Sequence, residues 1–236
     1  MTDRPAGSRA LRADAERNRQ AILDAAEQVF AEHGVSVTLA QIAKVAGVGV
    51  GTIYRRFSGV DALVEELFDE RICRWADLVA ELAELARTEP WDAFRRYVLG
   101  IAESQGCDAA FAELLIEPVL GSQRFQGHHA QAMGSARLLL SRARESGAVR
   151  ADLQDSDLLH IQLAVLGVVR GTSALGSTAP ERFALLVLDA CRGPAVPRET
   201  VGPLPAPTAT ELSAIESMCV AAGLDSGVDE NGGRFR

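Results

Sequence analysis

A short segment near the N-terminus groups guanidinium and hydroxyl side chains: Gly51-Thr52-Ile53-Tyr54-Arg55-Arg56-Phe57. On an α-helix, the outward face would carry Gly51, Thr52, Arg55 and Arg56, and the inward face Val50, Ile53 and Phe57. A guanidinium group can bind phosphates or make bidentate contacts with guanine O6 and N7. The segment is therefore suited to contacting DNA.

Acidic side chains are absent around this segment. The 28 residues 33–60 contain none, although the chain has 32 Asp and Glu and a formal net charge of -8. Residues 1–60 hold eight basic and six acidic groups, whereas residues 61–236 hold 16 and 26. A polyanion would be repelled by most of the chain and admitted near its N-terminus. Charge alone does not separate this interpretation from ordinary variation in surface charge.

Three predicted helices must position these groups. The first covers about residues 15–32 and stops at Gly34, the second runs from the N-cap Thr38 to Gly47, and the third covers about residues 50–56. A helix, a glycine turn and a second short helix can place one helix in the major groove of DNA. A helical hairpin with a solvated arginine face is the alternative.

The composition of the 236-residue chain predicts an all-α protein, because Ala, Leu and Arg are abundant and strand signals are few. Residues 1–14 are expected to form a flexible arm and residues 15–59 a three-helix helix-turn-helix domain. Residues 60–192 are expected to form a larger helical domain, which begins with a capping box at Ser58 and Asp61 and a helix of about 40 Å.

Further helices are predicted near residues 90–105, 108–117, 126–145, 155–175, 180–191 and 208–222. The stretch 193–207 holds five prolines and is expected to be an extended connector. Residues 225–236 are expected to be disordered, so residues 193–236 form a connector, a short helix and a tail.

No pattern in the sequence predicts a catalytic, metal or cofactor site. Four cysteines lie far apart without a CxxC pair and are expected to be reduced thiols of a cytoplasmic protein: Cys73, Cys107, Cys191 and Cys219. His128 and His129 are adjacent, so on a helix they diverge and cannot easily chelate one ion. The N-terminus lacks the apolar stretch of a secretory signal, and the longest apolar run, residues 158–169, is too short to cross a bilayer. We expect no enzyme and no membrane segment.

The N-terminal residues resemble a known family. Arg19-Gln20-Ala21-Ile22-Leu23-Asp24-Ala25-Ala26, Phe30-Ala31-Glu32-His33-Gly34, Thr38-Leu39-Ala40-Gln41-Ile42-Ala43 and the Gly51 to Phe57 segment are similar to the DNA-binding domain of TetR-type transcriptional regulators. The likeness covers about residues 15–65 with order and spacing intact. It implies a homodimer with three DNA-binding helices, followed by a C-terminal helical domain for ligand binding and dimerisation.

By motif position, the resemblance implies that Thr38 contacts phosphate, that Thr52 and Tyr54 contact phosphate or thymine, and that Arg55 and Arg56 contact bases or backbone. The full set of expected DNA contacts is Arg17, Arg19, Thr38, Lys44, Thr52, Tyr54, Arg55 and Arg56. The chain departs from the family at Gly49, where Ser is usual, and at Val60, where Lys is usual. Both departures remove expected phosphate contacts.

Aromatic and polar residues on the later helices form a candidate ligand site: Trp91, Phe94, Tyr97, Phe111, His128, His129, Met133 and Arg170. Ordinary core packing is the alternative for the aromatic residues, and Arg170 would either bind a ligand carboxylate or cap its helix. Small residues at 164, 167 and 171 would let another helix approach the helix 155–175 closely. With residues 180–191 it would form a four-helix dimer interface, unless it is buried inside one monomer.

The leading hypothesis is a ligand-responsive regulator, most simply a repressor, that binds a palindromic operator in double-stranded DNA as a homodimer and is released by an unidentified small molecule. The alternative is a small-molecule-binding or enzymatic helical protein whose DNA-binding motif is degenerate. That alternative rests on Gly49, Val60 and the acidic remainder of the chain.

Overall fold

The computed structural model describes residues 6–106, 109–116, 123–172 and 178–221. Within these ranges the secondary structure is helical, apart from an isolated bridge between Val149 and Arg192. The helices are α1 Ala6–His33, α2 Leu39–Ala46, α3 Val50–Arg56, α4 Val60–Leu85, α5 Pro90–Gly106, α6 Ala109–Ile116, α7 Gln123–Glu145, α8 Asp155–Thr172, α9 Ala179–Cys191 and α10 Ala209–Ala221. The predicted all-α class is confirmed. The predicted disordered tail lies outside the described residues.

The first helix is longer than predicted. It begins at Ala6, whereas the sequence pattern placed its start near residue 15 and a flexible arm before it. Ala and Leu between residues 6 and 13 are strong helix formers, and Arg17 pairs with Asp14 one turn away. The arm prediction is therefore corrected for residues 6–14, which continue α1.

Helix α2 is bounded by the signals that predicted it. The Thr38 hydroxyl accepts a hydrogen bond from the Gln41 amide, and the Gln41 side chain accepts one from the Thr38 amide, which completes a capping box. Gly47 ends the helix in the left-handed region at φ 66°. The fully buried side chains of Ile22, Ile42 and Ile53 join α1, α2 and α3 into one small core.

Helix α4 connects this N-terminal unit to the body. At 1.5 Å per residue its 26 residues span about 39 Å. The predicted capping box at Ser58 is wrong, because the N-cap is Gly59 and no side chain caps the helix. The inner face of α4 packs mainly along α7, with Leu63, Ile72 and Val79 fully buried.

An aromatic row crosses from the N-terminal unit into the body. The ring centroids of Phe30 on α1 and Phe68 on α4 are 6.2 Å apart, and those of Phe68 and Phe111 on α6 are 6.0 Å apart. All three rings are buried, so α1, α4 and α6 are in direct apolar contact. Helix α5 completes the body by packing against α7, α8 and α9.

The C-terminal connector is held to the body by polar contacts to its backbone. Arg182 donates to the Pro205 carbonyl at 2.6 Å, and Thr178 donates to the Ala206 carbonyl at 3.2 Å. Arg192 donates to the Val196 carbonyl at 2.8 Å. The connector contains a turn at residues 194–195 and a 3₁₀ turn over Arg198–Thr200, continues as an extended stretch, and is followed by α10.

Candidate nucleic-acid interface and interior cleft

The outward face of α3 carries the side chains predicted to contact DNA. Tyr54, Arg55 and Arg56 are exposed, and the Arg55 guanidinium donates to the Thr52 hydroxyl at 3.3 Å. Ile53 is fully buried beneath them and fixes the rotation of the helix. The arrangement leaves a phenol and two guanidinium groups in solvent on one short helix.

One inward residue was predicted wrongly. Val50 is 49% exposed, because the first turn of this two-turn helix projects beyond the core that Ile53 and Phe57 enter. Val45 on α2 is similarly exposed. These two valines add apolar groups beside the polar face, and an apolar side chain can contact the thymine methyl group. Helical spacing alone gave no signal for them.

The basic groups differ in their ionic partners. Arg19 pairs with Glu66 and with Glu16 at 3.2 Å, and a 4.0 Å contact joins Arg56 to Glu16. Among the described residues, Lys44 has no ion-pair partner. A phosphate would compete with carboxylates for Arg19 and Arg56, whereas Lys44 would meet it without that competition.

Thr38 and the glycine N-caps shape the rest of this surface. The Thr38 hydroxyl donates to Gln41 Oε1 at 2.8 Å, so its proton is already used within the capping box. Gly49 caps α3 and Gly59 caps α4, both without a side-chain hydrogen bond. A Cβ added at Gly49 would meet only the Thr52 hydroxyl, at an ordinary 3.7 Å. The backbone would therefore accept the usual serine.

The residues predicted to bind a ligand are dispersed. Phe94 and Tyr97 are fully buried, Trp91, His128 and Met133 are half-buried, and Phe111 is buried beside α4. Arg170 is exposed on α8 and forms an ion pair with Glu113 of α6. Trp91 and Phe94 contact each other with ring centroids 6.4 Å apart.

An open cleft of about 320 Å³ lies between α4, α5 and α6. Of the predicted ligand residues, Phe111 alone lines it; Arg71, Arg74, Trp75, Leu78, Gly100 and Glu103 form the rest of the wall. The Arg71 guanidinium lies 4.2 Å from the centre of the Phe111 ring, a cation–π contact. Sequence reasoning missed this site, although Arg71, Trp75 and Leu78 recur at helical spacing on α4.

Buried polar atoms adjoin Trp75, one of the residues that line the cleft. Gln162 of α8 donates to the Tyr97 hydroxyl at 3.3 Å, and burial raises the pKa of Tyr97 well above its usual value. Gln162 Oε1 and Trp75 Nε1 are buried without a hydrogen-bond partner, and the Trp75 and Tyr97 ring centroids are 6.0 Å apart. Each unpaired atom costs about 1–3 kcal/mol. A molecule in the cleft with a hydrogen-bond acceptor beside Trp75 would satisfy one of them.

The histidines and cysteines do not assemble a metal site in the described ranges. His129 Nε2 lies 2.8 Å from the Leu115 carbonyl, and His128 Nε2 is buried without a partner. Cys73 is half-buried, and burial raises the pKa of the Cys191 thiol to about 11. No group of three potential metal ligands occurs within these ranges. Cys107 and the Cys219 side chain are not described.

Helices long and apolar enough to span a membrane are absent from the described residues.

The N-terminal unit matches a known family model. The model of bacterial regulatory proteins of the tetR family aligns with residues 22–67, which include all of α2 and α3. The AcrR transcriptional regulator of Shigella flexneri is 27% identical over 187 residues, covering 75% of this chain and 86% of AcrR. The N-terminal DNA-binding unit of this chain belongs to the tetR family. Its α2 and α3 form the helix-turn-helix of a DNA-binding transcriptional regulator.

Solved structures extend the comparison into the body. SmeT, the repressor of the Stenotrophomonas maltophilia multidrug efflux pump SmeDEF, is 25% identical, with a TM-score of 0.50 over 80% of this chain and 96% of that chain. A gamma-butyrolactone receptor (ArpA-like protein) is 22% identical, with a TM-score of 0.53 over 80% of this chain and 94% of its own, and shows the fold alone.

A further relative matches a shorter part of the chain. A Staphylococcus aureus transcriptional regulator, SAR0097, is 39% identical over 67 residues, which are 27% of this chain and 35% of that relative. The family model ends at residue 67, before the residues that line the cleft, so those residues are interpreted from their own chemistry.

Proposed function

We propose that this tetR-family regulator binds a palindromic operator as a homodimer and represses transcription until a small molecule releases it. The observation that carries the proposal is the exposed polar face of α3 within a segment, residues 33–60, that has no acidic side chain. Such a face attracts phosphate and presents guanidinium groups to base edges. The similarity to SmeT, which is a repressor, supports the direction of control.

The DNA-contacting side chains fall into two proposed groups. Tyr54, Arg55 and Arg56 on α3 contact bases or the adjoining backbone, and Lys44 on α2 contacts phosphate because it enters the complex without an ion-pair partner. Thr52 orients Arg55 through their hydrogen bond.

The remaining predicted contacts act at the edges of the site. Arg17 and Arg19 on α1 would contact flanking phosphates after exchanging their carboxylate partners for the DNA. Because the Thr38 hydroxyl proton is already committed, Thr38 would contribute chiefly by holding the N-terminus of α2 towards a phosphate.

The subunit interface is proposed on the outward faces of α8 and α9, which pack against each other. On α8 the exposed stripe contains Leu159, Leu163, Ala164, Gly167 and Gly171. A Cβ at Gly167 or Gly171 would meet no atom within 4 Å, so neither glycine is required by packing inside the described chain. A second copy would cover this stripe in a two-fold symmetric four-helix contact.

The dimer sets the geometry of the operator. Two α3 helices related by a two-fold axis enter successive major grooves when their centres are about 34–36 Å apart. We therefore expect an inverted repeat with half-site centres about 10 base pairs apart.

The effector is proposed to enter the cleft between α4, α5 and α6. Its wall combines Leu78, Trp75 and Phe111, and the indole N–H of Trp75 is buried without a hydrogen-bond partner. The two arginines of the cleft are balanced by Glu103 in the wall and by Glu70, which pairs with Arg74. The site therefore suits an uncharged, largely apolar molecule that carries a hydroxyl or carbonyl group.

Selection from a random duplex library with the full-length protein tests operator binding. We expect enrichment of one inverted repeat, and binding to that duplex should weaken in Arg55→Ala and Arg56→Ala. Arg87→Ala is the matched control, because Arg87 is an exposed arginine of the body paired with Glu84. Failure to enrich any inverted repeat would favour the alternative of a helical protein with a degenerate DNA-binding motif.

Tryptophan fluorescence tests the effector cleft. In a Trp91→Phe variant the only tryptophan is Trp75, which lines the cleft. We expect 1-octanol to change its emission saturably, with weaker binding after Leu78→Asp, which places a charge in the apolar wall. A linear response equal to that of Trp91 in a Trp75→Phe variant would argue against binding in the cleft.

A further inference from the structure

Glu113 of α6 joins three parts of the molecule. Its side chain is largely buried and its two carboxylate oxygens face different elements. One oxygen contacts the turn between α1 and α2, and the other contacts α8.

The first contact shapes the turn that precedes the helix-turn-helix. The Val35 amide donates to Glu113 Oε2 at 3.1 Å, and the neighbouring Gly34 lies in the left-handed region at φ 73°. A Cβ at Gly34 would overlap the Glu113 carboxylate. The glycine therefore serves both the backbone conformation and the close approach of α6. Thr38, three residues after Val35, is the N-cap of α2.

The second contact reaches the proposed subunit face. Glu113 Oε1 pairs with Arg170, which lies near the end of α8 in the exposed stripe with Leu163 and Gly167. An ion pair to a partly buried carboxylate fixes its position more firmly than a neutral contact would. The same carboxylate is thus held from the α8 side and holds the α1–α2 turn on the other side.

Helix α6 also borders the cleft. Phe111, one half-turn before Glu113, lines the cleft wall and stacks under the Arg71 guanidinium. A molecule that displaces Phe111 must move α6 or rotate it. Because α6 has eight residues, such a movement carries Glu113 with it.

We propose that Glu113 is a positioning residue for DNA binding: its carboxylate, held by Arg170, fixes the α1–α2 turn on the body, and effector entry at Phe111 withdraws it. This proposal rests on the proposed function, since it assigns the control of the same DNA-binding unit. The fixed turn lowers the entropy lost when two helix-turn-helix units are ordered on one operator. Withdrawal of the carboxylate frees the turn and weakens operator binding.

The test compares substitutions at both ends of the ion pair in the full-length protein. Glu113→Ala removes the acceptor of the Val35 amide, Glu113→Gln keeps an acceptor oxygen, and Arg170→Met removes the charge on α8. The matched control is Glu84→Gln, which removes an ion pair with Arg142 between two helices of the body. The readouts are amide hydrogen exchange of residues 34–38, thermal unfolding, and affinity for the duplex enriched by wild-type protein.

For Glu113→Ala we expect exchange of the Val35 amide to rise about tenfold and operator affinity to fall about fivefold. Glu113→Gln should return both quantities to within about twofold of wild type, a rescue that general destabilisation of the body would not give. Arg170→Met should weaken operator binding in the wild-type background, because it leaves the partly buried Glu113 carboxylate without its counter-charge. It should have no effect in the Glu113→Gln background, where no charge is left unpaired. The Glu84→Gln control should leave exchange and affinity unchanged.

The outcomes separate this proposal from the proposed function. If wild-type protein enriches an inverted repeat but Glu113→Ala changes neither exchange nor affinity, the positioning role is refuted. If no repeat is enriched, the proposed function fails, and the exchange data alone then support or refute the attachment of the turn by Glu113. If Glu113→Ala does not fold, operator affinity is compared in Arg170→Met and in the double variant with Glu113→Gln. The proposal is supported if Arg170→Met weakens binding only when Glu113 is present, and refuted if it weakens binding equally in both backgrounds or in neither.

Discussion

The exposed leucines on α8 allow a quantitative prediction of how strongly one substitution weakens the proposed dimer. Leu159 and Leu163 are 42% and 46% exposed, and Leu186 on α9 is 49% exposed. If a second copy covers these side chains, Leu163→Ala should weaken self-association without unfolding the subunit, because the lost contact lies outside the monomer core.

The magnitude follows from the exposed fraction. Full burial of a leucine side chain stabilises by about 1.5–3 kcal/mol, so covering the exposed half of Leu163 contributes about half of that in each subunit. Two copies lose about 1.5–3 kcal/mol together, which raises the dissociation constant of the dimer by about 10- to 150-fold.

The assay is subunit dissociation on dilution, followed by fluorescence anisotropy of N-terminally labelled protein and checked by sedimentation. Leu138→Ala is the matched control, because Leu138 is 43% exposed on α7, outside the α8–α9 face. It should leave the dissociation constant unchanged. Operator binding by Leu163→Ala should depend more steeply on protein concentration, because the dimer must assemble before it binds both half-sites.

Equal dissociation constants for Leu163→Ala and Leu138→Ala would refute the assignment of this face. A dimer that survives both substitutions would have to use another surface. A monomeric wild-type protein at micromolar concentration would remove the basis for a two-fold operator.

Three further predictions concern single sites. Gly49→Ser should stabilise α3 by a few tenths of a kcal/mol and raise operator affinity, because the extended N-cap has room for the hydroxyl; unchanged affinity in titrations would contradict this. Val60→Lys should steepen the slope of log K against log salt concentration by about 0.9 per subunit, and an unaltered slope would place the new charge away from phosphate. Tyr97→Phe should destabilise by about 1–3 kcal/mol in urea unfolding by leaving Gln162 unpaired, and adding Gln162→Met should recover stability. A double variant as unstable as Tyr97→Phe would exclude that cause.

Local signals predicted the DNA-binding unit well. Thr38 and Gly47 determine the ends of α2 through a capping box and a left-handed glycine, and both signals are contained in a few adjacent residues. Helical spacing likewise identified Ile53 and Phe57 as core. It failed at Val50, since a seven-residue helix has too few turns to fix the environment of its first residue.

The body was less predictable because its interactions join residues far apart in sequence. Arg170 was expected to bind a ligand or cap its helix, but its ion pair with Glu113 spans 57 residues of sequence. The cleft wall combines α4, α5 and α6, whereas the sequence pattern favoured aromatic residues that the fold buries, such as Phe94. Glu113 itself gave no sequence signal, because an isolated glutamate on a helix is ordinarily a solvated side chain.

The length of α4 bears on the proposed response to an effector. A tilt of about 5° at its body end displaces the other end of a 39 Å helix by about 3.4 Å, which is the rise of one base pair. Two symmetric subunits double that displacement. The proposed effector therefore needs to produce only a small angular change inside the body for the two α3 helices to fall out of register with the DNA grooves.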